Sequence, residues 1–244
     1  MVGNLNMSKT DNFKHIKSDS DVSERLARMI CKTLKEAISI RGSASLMVSG
    51  GNSPIPVYKK LSKMDLDWSR VTISLVDDRW VNRESEGSNA ASILQALIQN
   101  DAVSARFIDL KTDNATPQEG LNAVETALND MPFPYDMCVM GMGTDGHTAS
   151  WFPDSIGLKE ALDITSRSKV AAINASGCAG AGAFPHRITL TLPAVMSARA
   201  IALYIPGPEK LAVFEQSEHA SVYTSPVTAL RAAGSRLTVF SGNL

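Results

Sequence analysis

The shortages in this sequence exclude more than its abundances do. Three cysteines in 244 residues, Cys31, Cys138 and Cys178, are too few and too scattered for a disulfide framework. No C-x-x-C pair stands among them to seat a zinc ribbon or a thioredoxin-like redox centre. There is no His-x-x-x-His, no clustered Cys and His and no EF-hand loop, so no metal site is expected. No segment approaches the ~20 consecutive apolar residues of a membrane-spanning helix. The first twenty residues carry Lys9, Asp11, Lys14, Lys17 and Asp19 and have no apolar core, so they do not read as a signal peptide. An excess of charge is also missing. Lys and Arg total 24 against 25 Asp and Glu, a net charge of -1 without the basic surplus of a nucleic-acid-binding domain. Neither a nucleic acid nor a membrane is therefore expected as partner. A cytoplasmic, reducing compartment is the expectation.

What is present is ordinary globular material, 44% hydrophobic and 20% charged, long enough for a sizeable core. A polar leader is expected over residues 1–20 and a single domain over 21–244. Apolar residues at helical spacing predict a helix over Asp21–Ile40, capped by Ser20 or Asp21 and ended by Arg41-Gly42. Further helices are expected from Pro54 to Leu61, over Asn89–Ile98 behind a Ser88 cap, and from Thr116-Pro117-Gln118-Glu119, a capping box, to about Asn129. Pro208–Glu215 and Pro226–Ala233 read the same way. Ser45–Val48, Val71–Val76, Phe107–Leu110, Asp136–Met140, Lys169–Ile173, Arg187–Leu192, Ala200–Ile205 and Leu237–Phe240 read as strands, with Cys138 a small core residue. Apolar strands alternating with helices predict an α/β fold: a three-layer α/β/α sandwich around a mainly parallel sheet, with room for a small appended lobe. The polar stretch Trp151–Lys169 is the one candidate insertion. Ligands of such sheets bind beyond the carboxyl ends of the strands.

Three unusual clusters fall at such ends. Ser49-Gly50-Gly51-Asn52-Ser53-Pro54 joins a strand to a helix. Glycine admits close backbone approach and a helix N-terminus offers free N–H groups, so the turn suits a phosphate as well as it suits an ordinary tight turn. It is neither a P-loop nor a dinucleotide fingerprint. Asp77-Asp78-Arg79-Trp80 places two acids and a guanidinium directly after a buried strand, either as a solvated ion pair or as the wall of a cleft. Gly141-Met142-Gly143-Thr144-Asp145-Gly146-His147-Thr148 surrounds one Asp and one His with three glycines, which makes His147 the best candidate base. His15, His186 and His219 lack such a setting, although His186 adjoins Arg187. Arg187 and Lys210 could complete an anion site. Lys210 opens a helix, where its charge opposes the dipole and a bound phosphate would offset that. No Gly-x-Ser-x-Gly elbow is present.

Taken in chain order, these clusters resemble the 6-phosphogluconolactonase and glucosamine-6-phosphate deaminase superfamily. The resemblance runs through Ser49-Gly50-Gly51-x-x-Pro54, Asp77-Asp78-Arg79-Trp80 with Ser88-Asn89, Gly141 to Pro153, Arg187-Ile188-Thr189-Leu190-Thr191 and Gly207-x-x-Lys210. It spans about Val22 to the C-terminus, and Asp145-Gly146-His147-Thr148-Ala149-Ser150 is its most specific part. It implies a Rossmann-like sheet and a cofactor-free hydrolysis of 6-phospho-D-glucono-1,5-lactone to 6-phospho-D-gluconate, the second step of the oxidative pentose phosphate pathway. A small sugar-phosphate lactone is then the expected partner, and the oligomeric state is left open. His147 would be the general base, Asp145 would orient or tune it, and Arg79 would stabilise the developing anion or fix the sugar. Ser49, Gly50, Gly51, Asn52, Asp77, Arg187 and Lys210 would hold the substrate and its phosphate.

Asp78 stands where the family usually has Glu, Thr144 where it has Pro, and Trp151 where it has Leu, which puts the geometry around Asp78 in question. A deaminase of amino-sugar phosphates is a rival, but that branch looks different at the second cluster, and Arg79 argues for the lactonase branch. A non-catalytic sugar-phosphate sensor is the other rival. The stretch before Val22 is too short for a helix-turn-helix.

Overall fold

The computed structural model describes residues 12–18 and 21–242. In chain order its elements are β1 (Lys14–Ser18), α1 (Val22–Arg41), β2 (Ala44–Val48), α2 (Ile55–Leu61), β3 (Val71–Leu75), β4 (Asp77–Arg79), α3 (Asn89–Ala96), β5 (Arg106–Phe107), α4 (Pro117–Asn129), β6 (Met137–Met140), α5 (Leu158–Leu162), β7 (Val170–Asn174), β8 (His186–Leu190), α6 (Leu192–Met196), β9 (Ala200–Tyr204), α7 (Pro208–Gln216) and β10 (Leu237–Gly242). Seven strands in the order β1-β10-β9-β6-β2-β3-β5 form a parallel sheet flanked by helices. This is the expected α/β architecture. β2 and β6 lie at its centre and are buried at every position, as strands covered on both faces must be.

The helices begin and end where side-chain chemistry allows. Asp21 accepts the Glu24 N–H at the start of α1, and Gly42, at φ 79°, ends it by returning its N–H to the Ile38 carbonyl. Ser88 accepts from Ala91 N–H to open α3, and Thr116 accepts from Glu119 N–H to open α4. Apolar side chains of α1, among them Leu26, Ile30 and Leu34, are fully buried, and one continuous apolar cluster runs through the molecule. Among the described residues no helix is long and apolar enough to cross a membrane.

Several sequence expectations are corrected. β4, β8 and β7 leave the parallel sheet and form a separate antiparallel one. Apolar periodicity does not separate the two cases, but the link from β7 to β8 holds no helix. A parallel return needs a crossover of a dozen or more residues, so this link directs antiparallel pairing. The two sheets meet at Val76, whose N–H donates to Val48 O while its carbonyl accepts from Leu190 N–H. The leader expected over residues 1–20 is also cut short, because Lys14–Ser18 pairs with β10 as an edge strand. Its polar composition suits an edge and hides it from a search for apolar runs. Residues 1–11, 19 and 20 lie outside the described residues. Residues 226–236 form 3-10 turns with a break at Gly234 rather than an α-helix.

One buried charge is purely architectural. Asp136, 1% exposed just before β6, accepts from Ser45 N–H at 2.9 Å and pairs with Arg41 and, at 3.6 Å, Arg199. Every demand it makes is met by its neighbours. Asp136→Ala would leave the Ser45 N–H and both guanidiniums without their acceptor. It is expected to lower the unfolding free energy by about 3 kcal/mol in urea titrations.

Candidate active site

Beyond the carboxyl ends of β2, β6 and β9, and against the small sheet, lies a cleft of about 310 Å³. Ser49, Gly50, Gly51, Asn52, Asp77, Arg79, His147, Arg187 and Lys210 all border it. Asp145 stands immediately behind His147. The structure therefore gathers into one place the ten residues to which the sequence reading assigned a catalytic or binding role.

The chain leaving β6 builds the centre. Gly141, Gly143 and Gly146 have the spacing of a dinucleotide fingerprint, but no helix follows them. The segment instead closes on itself: Gly143 N–H donates to His147 O at 2.9 Å, and Gly146 N–H to Gly143 O at 3.1 Å. Gly146 sits at φ 79°, where only glycine is at ease. Thr148 Oγ1 donates back to Gly141 O at 2.7 Å. Ala149 takes the uncommon φ of 49° and lies between two anchors. On one side is Thr148. On the other, Ser150 donates to Asp77 Oδ2 at 2.5 Å and Trp151 Nε1–H to Leu190 O at 2.8 Å. Trp151 is thus wholly interior and hydrogen-bonded, and Thr144 is exposed, so these two departures from the family pattern leave the site intact.

His147 Nδ1 meets Asp145 Oδ1 at 2.5 Å. Burial pushes the Asp145 carboxyl up, but its hydrogen bond and charge attraction to His147 outweigh this and hold it below the ordinary carboxylate value. An ionised carboxylate can only accept, so Nδ1 carries a proton, and in the neutral ring the lone pair then lies on Nε2. The imidazole lies on the Phe152 ring, with centroids 4.2 Å apart. Two glycines enclose the pair. A Cβ on Gly143 would fall 2.2 Å from His147 Cε1, and one on Gly180 would fall 2.6 Å from Asp145 Oδ2 and 2.9 Å from His147 Nδ1. Both are demanded by space rather than by backbone angle.

The small sheet supplies charge. Arg79 on β4 and Arg187 on β8 stand directly opposite one another. Like charges so placed repel, which an anion between them would relieve. Arg79 donates one N–H to Gly87 O at 2.7 Å, and its buried Nε has no hydrogen-bond partner among the described residues. Arg187, 3% exposed, donates from Nε to Phe184 O at 2.5 Å and from Nη2 to Ala181 O at 2.6 Å, with Nη1 at 4.0 Å from Asp77 Oδ2. Burial pulls its pKa down to about 10, with Asp77 opposing. Much of Arg187 is therefore committed to holding residues 181–184 beside Gly180.

The two acids of the second cluster diverge. Asp77 faces the cleft. Asp78, 1% exposed, turns to the N-terminus of α3 and accepts from the N–H groups of Arg79, Asn89 and Ala90 at 2.7, 2.8 and 3.1 Å. Burial nevertheless pushes its carboxyl up to about 7, against those three donors. The position where the family pattern is broken thus serves as a helix anchor.

At the far end, the turn 49–54 and Lys210 face each other. Tyr58 donates its hydroxyl to Ser49 O at 2.8 Å and fixes the end of β2. A Cβ on Gly50 would overlap Asn89, 2.0 Å from its Cγ, and Asn89 Nδ2 in turn donates to Asp77 O at 3.0 Å. Lys210 reaches Ser53 Oγ at 3.5 Å, and burial holds its pKa below the ordinary lysine value. Asn89, Phe152, Gly180 and Tyr204 also border the cleft without having been singled out as site residues. Asn89 next to a capping serine was a readable signal. Gly180 in a glycine-alanine run and Tyr204 inside an apolar strand were not.

The family described as glucosamine-6-phosphate isomerases/6-phosphogluconolactonase matches residues 17–239. A 6-phosphogluconolactonase of Rhizobium meliloti is 36% identical over 231 residues, which is 94% of this chain and 97% of that protein. One from Mesorhizobium japonicum is 40% identical over 190 residues, 78% of each. The crystal structure of a 6-phosphogluconolactonase from Shewanella baltica OS155 superposes with a TM-score of 0.86 at 36% identity, covering 96% of this chain and 97% of that one.

The enclosure of the His147–Asp145 pair makes Gly180→Ala a sensitive probe. The added methyl displaces the ends of both side chains in a backbone region that tolerates alanine. Turnover of the enzyme's substrate is expected to fall by about 10²-fold while the melting temperature changes little.

Proposed function

We propose, for a chain that belongs to the glucosamine-6-phosphate isomerase/6-phosphogluconolactonase family, that the cleft hydrolyses 6-phospho-D-glucono-1,5-lactone through a water activated by His147. The chain is an enzyme of the hydrolase kind found in that family's lactonase members. The observation that carries the mechanism is the 2.5 Å contact between Asp145 Oδ1 and His147 Nδ1 beside a pair of guanidiniums. It leaves Nε2 as the basic ring nitrogen in a cleft where cations outnumber acids.

In this reading the lactone carbonyl carbon lies between His147 and Arg79. Nε2 takes a proton from water as the water oxygen bonds to that carbon. The carbonyl electrons move onto oxygen, and the unpartnered Arg79 Nε–H stabilises the resulting oxyanion. Collapse of the tetrahedral species breaks the bond to the ring oxygen, which receives the proton from His147. The product acid then ionises. The imidazolium formed midway sits against the Asp145 carboxylate, which lowers its cost. Neither a covalent nucleophile nor a cofactor is needed for so reactive an ester. Ser49, Gly50, Gly51, Asn52 and Lys210 hold the 6-phosphate. Asp77 and Arg187 fix the wall between phosphate and carbonyl. Binding energy gathered at the phosphate then orients the lactone.

The test uses lactone generated freshly by glucose-6-phosphate dehydrogenase, with product followed through 6-phosphogluconate dehydrogenase and the spontaneous rate subtracted. The wild type is expected to accelerate hydrolysis, and His147→Ala to lose about 10³-fold in kcat. Asp145→Asn is expected to lose about 10²-fold or more, because the amide can hold the wrong tautomer. Full activity in His147→Ala would refute the mechanism. Ammonia release from glucosamine 6-phosphate in place of lactone hydrolysis would refute the substrate.

A further inference from the structure

Tyr204 closes β9, one loop before Lys210, and borders the cleft. It is 2% exposed, and its hydroxyl is buried with no hydrogen-bond partner among the described residues. Buried hydroxyls are nearly always satisfied, so an orphan at the edge of a ligand site asks what would satisfy it. Its surroundings answer in one direction. Among the described residues Lys210 Nζ has only a 3.5 Å contact with Ser53 Oγ, and burial lowers its pKa. The turn 50–52 offers backbone N–H groups ahead of α2. The tyrosine itself stays a neutral O–H donor, since burial pushes its pKa up to about 12. The Asp21 charge acts on the hydroxyl in the same direction as burial, and Lys210, the turn and Tyr204 bring donors together at this end of the cleft.

We propose that the Tyr204 hydroxyl is a further substrate-binding donor, which completes the phosphate subsite together with Lys210, Ser53 and the turn at 50–52. The proposal rests on the phosphorylated substrate argued above and deepens it. A phosphate oxygen in the subsite supplies the acceptor that no group among the described residues gives the hydroxyl. The hydroxyl therefore costs stability in the free protein and returns affinity in the complex. Discrimination follows the same line, because a lactone without the phosphate leaves the donor unpaired.

Tyr204→Phe removes only the hydroxyl and separates this account from a packing role. For the phosphorylated lactone, KM is expected to rise about tenfold with kcat nearly unchanged, the signature of lost ground-state binding. The melting temperature of the ligand-free variant should equal or exceed that of the wild type. Inorganic phosphate should raise the wild-type melting temperature and raise that of the variant distinctly less. An unchanged KM with equal stabilisation by phosphate would overturn the proposal, as would a fall in melting temperature with unchanged KM. If the wild type hydrolyses no lactone, the substrate reading fails, and the phosphate-induced shifts of the two proteins still decide the role of Tyr204.

Discussion

The contact on which the rest of this structure depends is the one between Asp145 and His147. A carboxylate beside an imidazole does three things at once: it selects the tautomer, it fixes the ring, and it prepares a counter-charge for the protonated form. None of these is secured by the two residues alone. Gly143 and Gly180 pack against the ends of the two side chains where any Cβ would collide, and Phe152 supports the ring face. Gly180 is placed by neighbouring residues whose carbonyls are held by Arg187, and Arg187 is itself set by the pairing of β8 with β4. The small antiparallel sheet, which departs from the expected parallel pattern, is thereby the frame of the pair proposed to be catalytic.

Charge is divided with the same economy. Adjacent acids on β4 point to different tasks: Asp77 receives Ser150 and faces the guanidinium of Arg187, while Asp78 anchors α3. Opposed arginines and a half-buried lysine then leave the cleft rich in donors. Asp136, at the other end of the sheet, shows what a buried charge looks like when its role is architectural, with every bond answered internally.

Much of this was legible in the chain. Helix caps at Asp21, Ser88 and Thr116 and the apolar strands at the sheet centre follow from local chemistry, and their elements lie within a few residues of expectation. The three clusters at strand ends were readable because charge and glycine are costly there without a purpose. Other features were not readable for physical reasons. Apolar periodicity is blind to strand direction, so the second sheet was hidden. Lys14–Ser18 is a strand only because β10 offers it an edge. Gly180 and Tyr204 acquire their meaning from what lies across space, and nothing in their local sequence marks them. The substitution of Asp78 for the family's usual Glu raised a question that only the hydrogen bonds at α3 answer.

The central claim is that Asp145 holds His147 with its proton on Nδ1 and its lone pair on Nε2. Nitrogen-15 NMR of the histidine-labelled protein, with His147 assigned by comparison with His147→Ala, reads this directly. The account predicts a protonated Nδ1 and an unprotonated Nε2 in the neutral ring, and loss of that preference in Asp145→Asn. A neutral ring protonated on Nε2, with Nδ1 free, would contradict it.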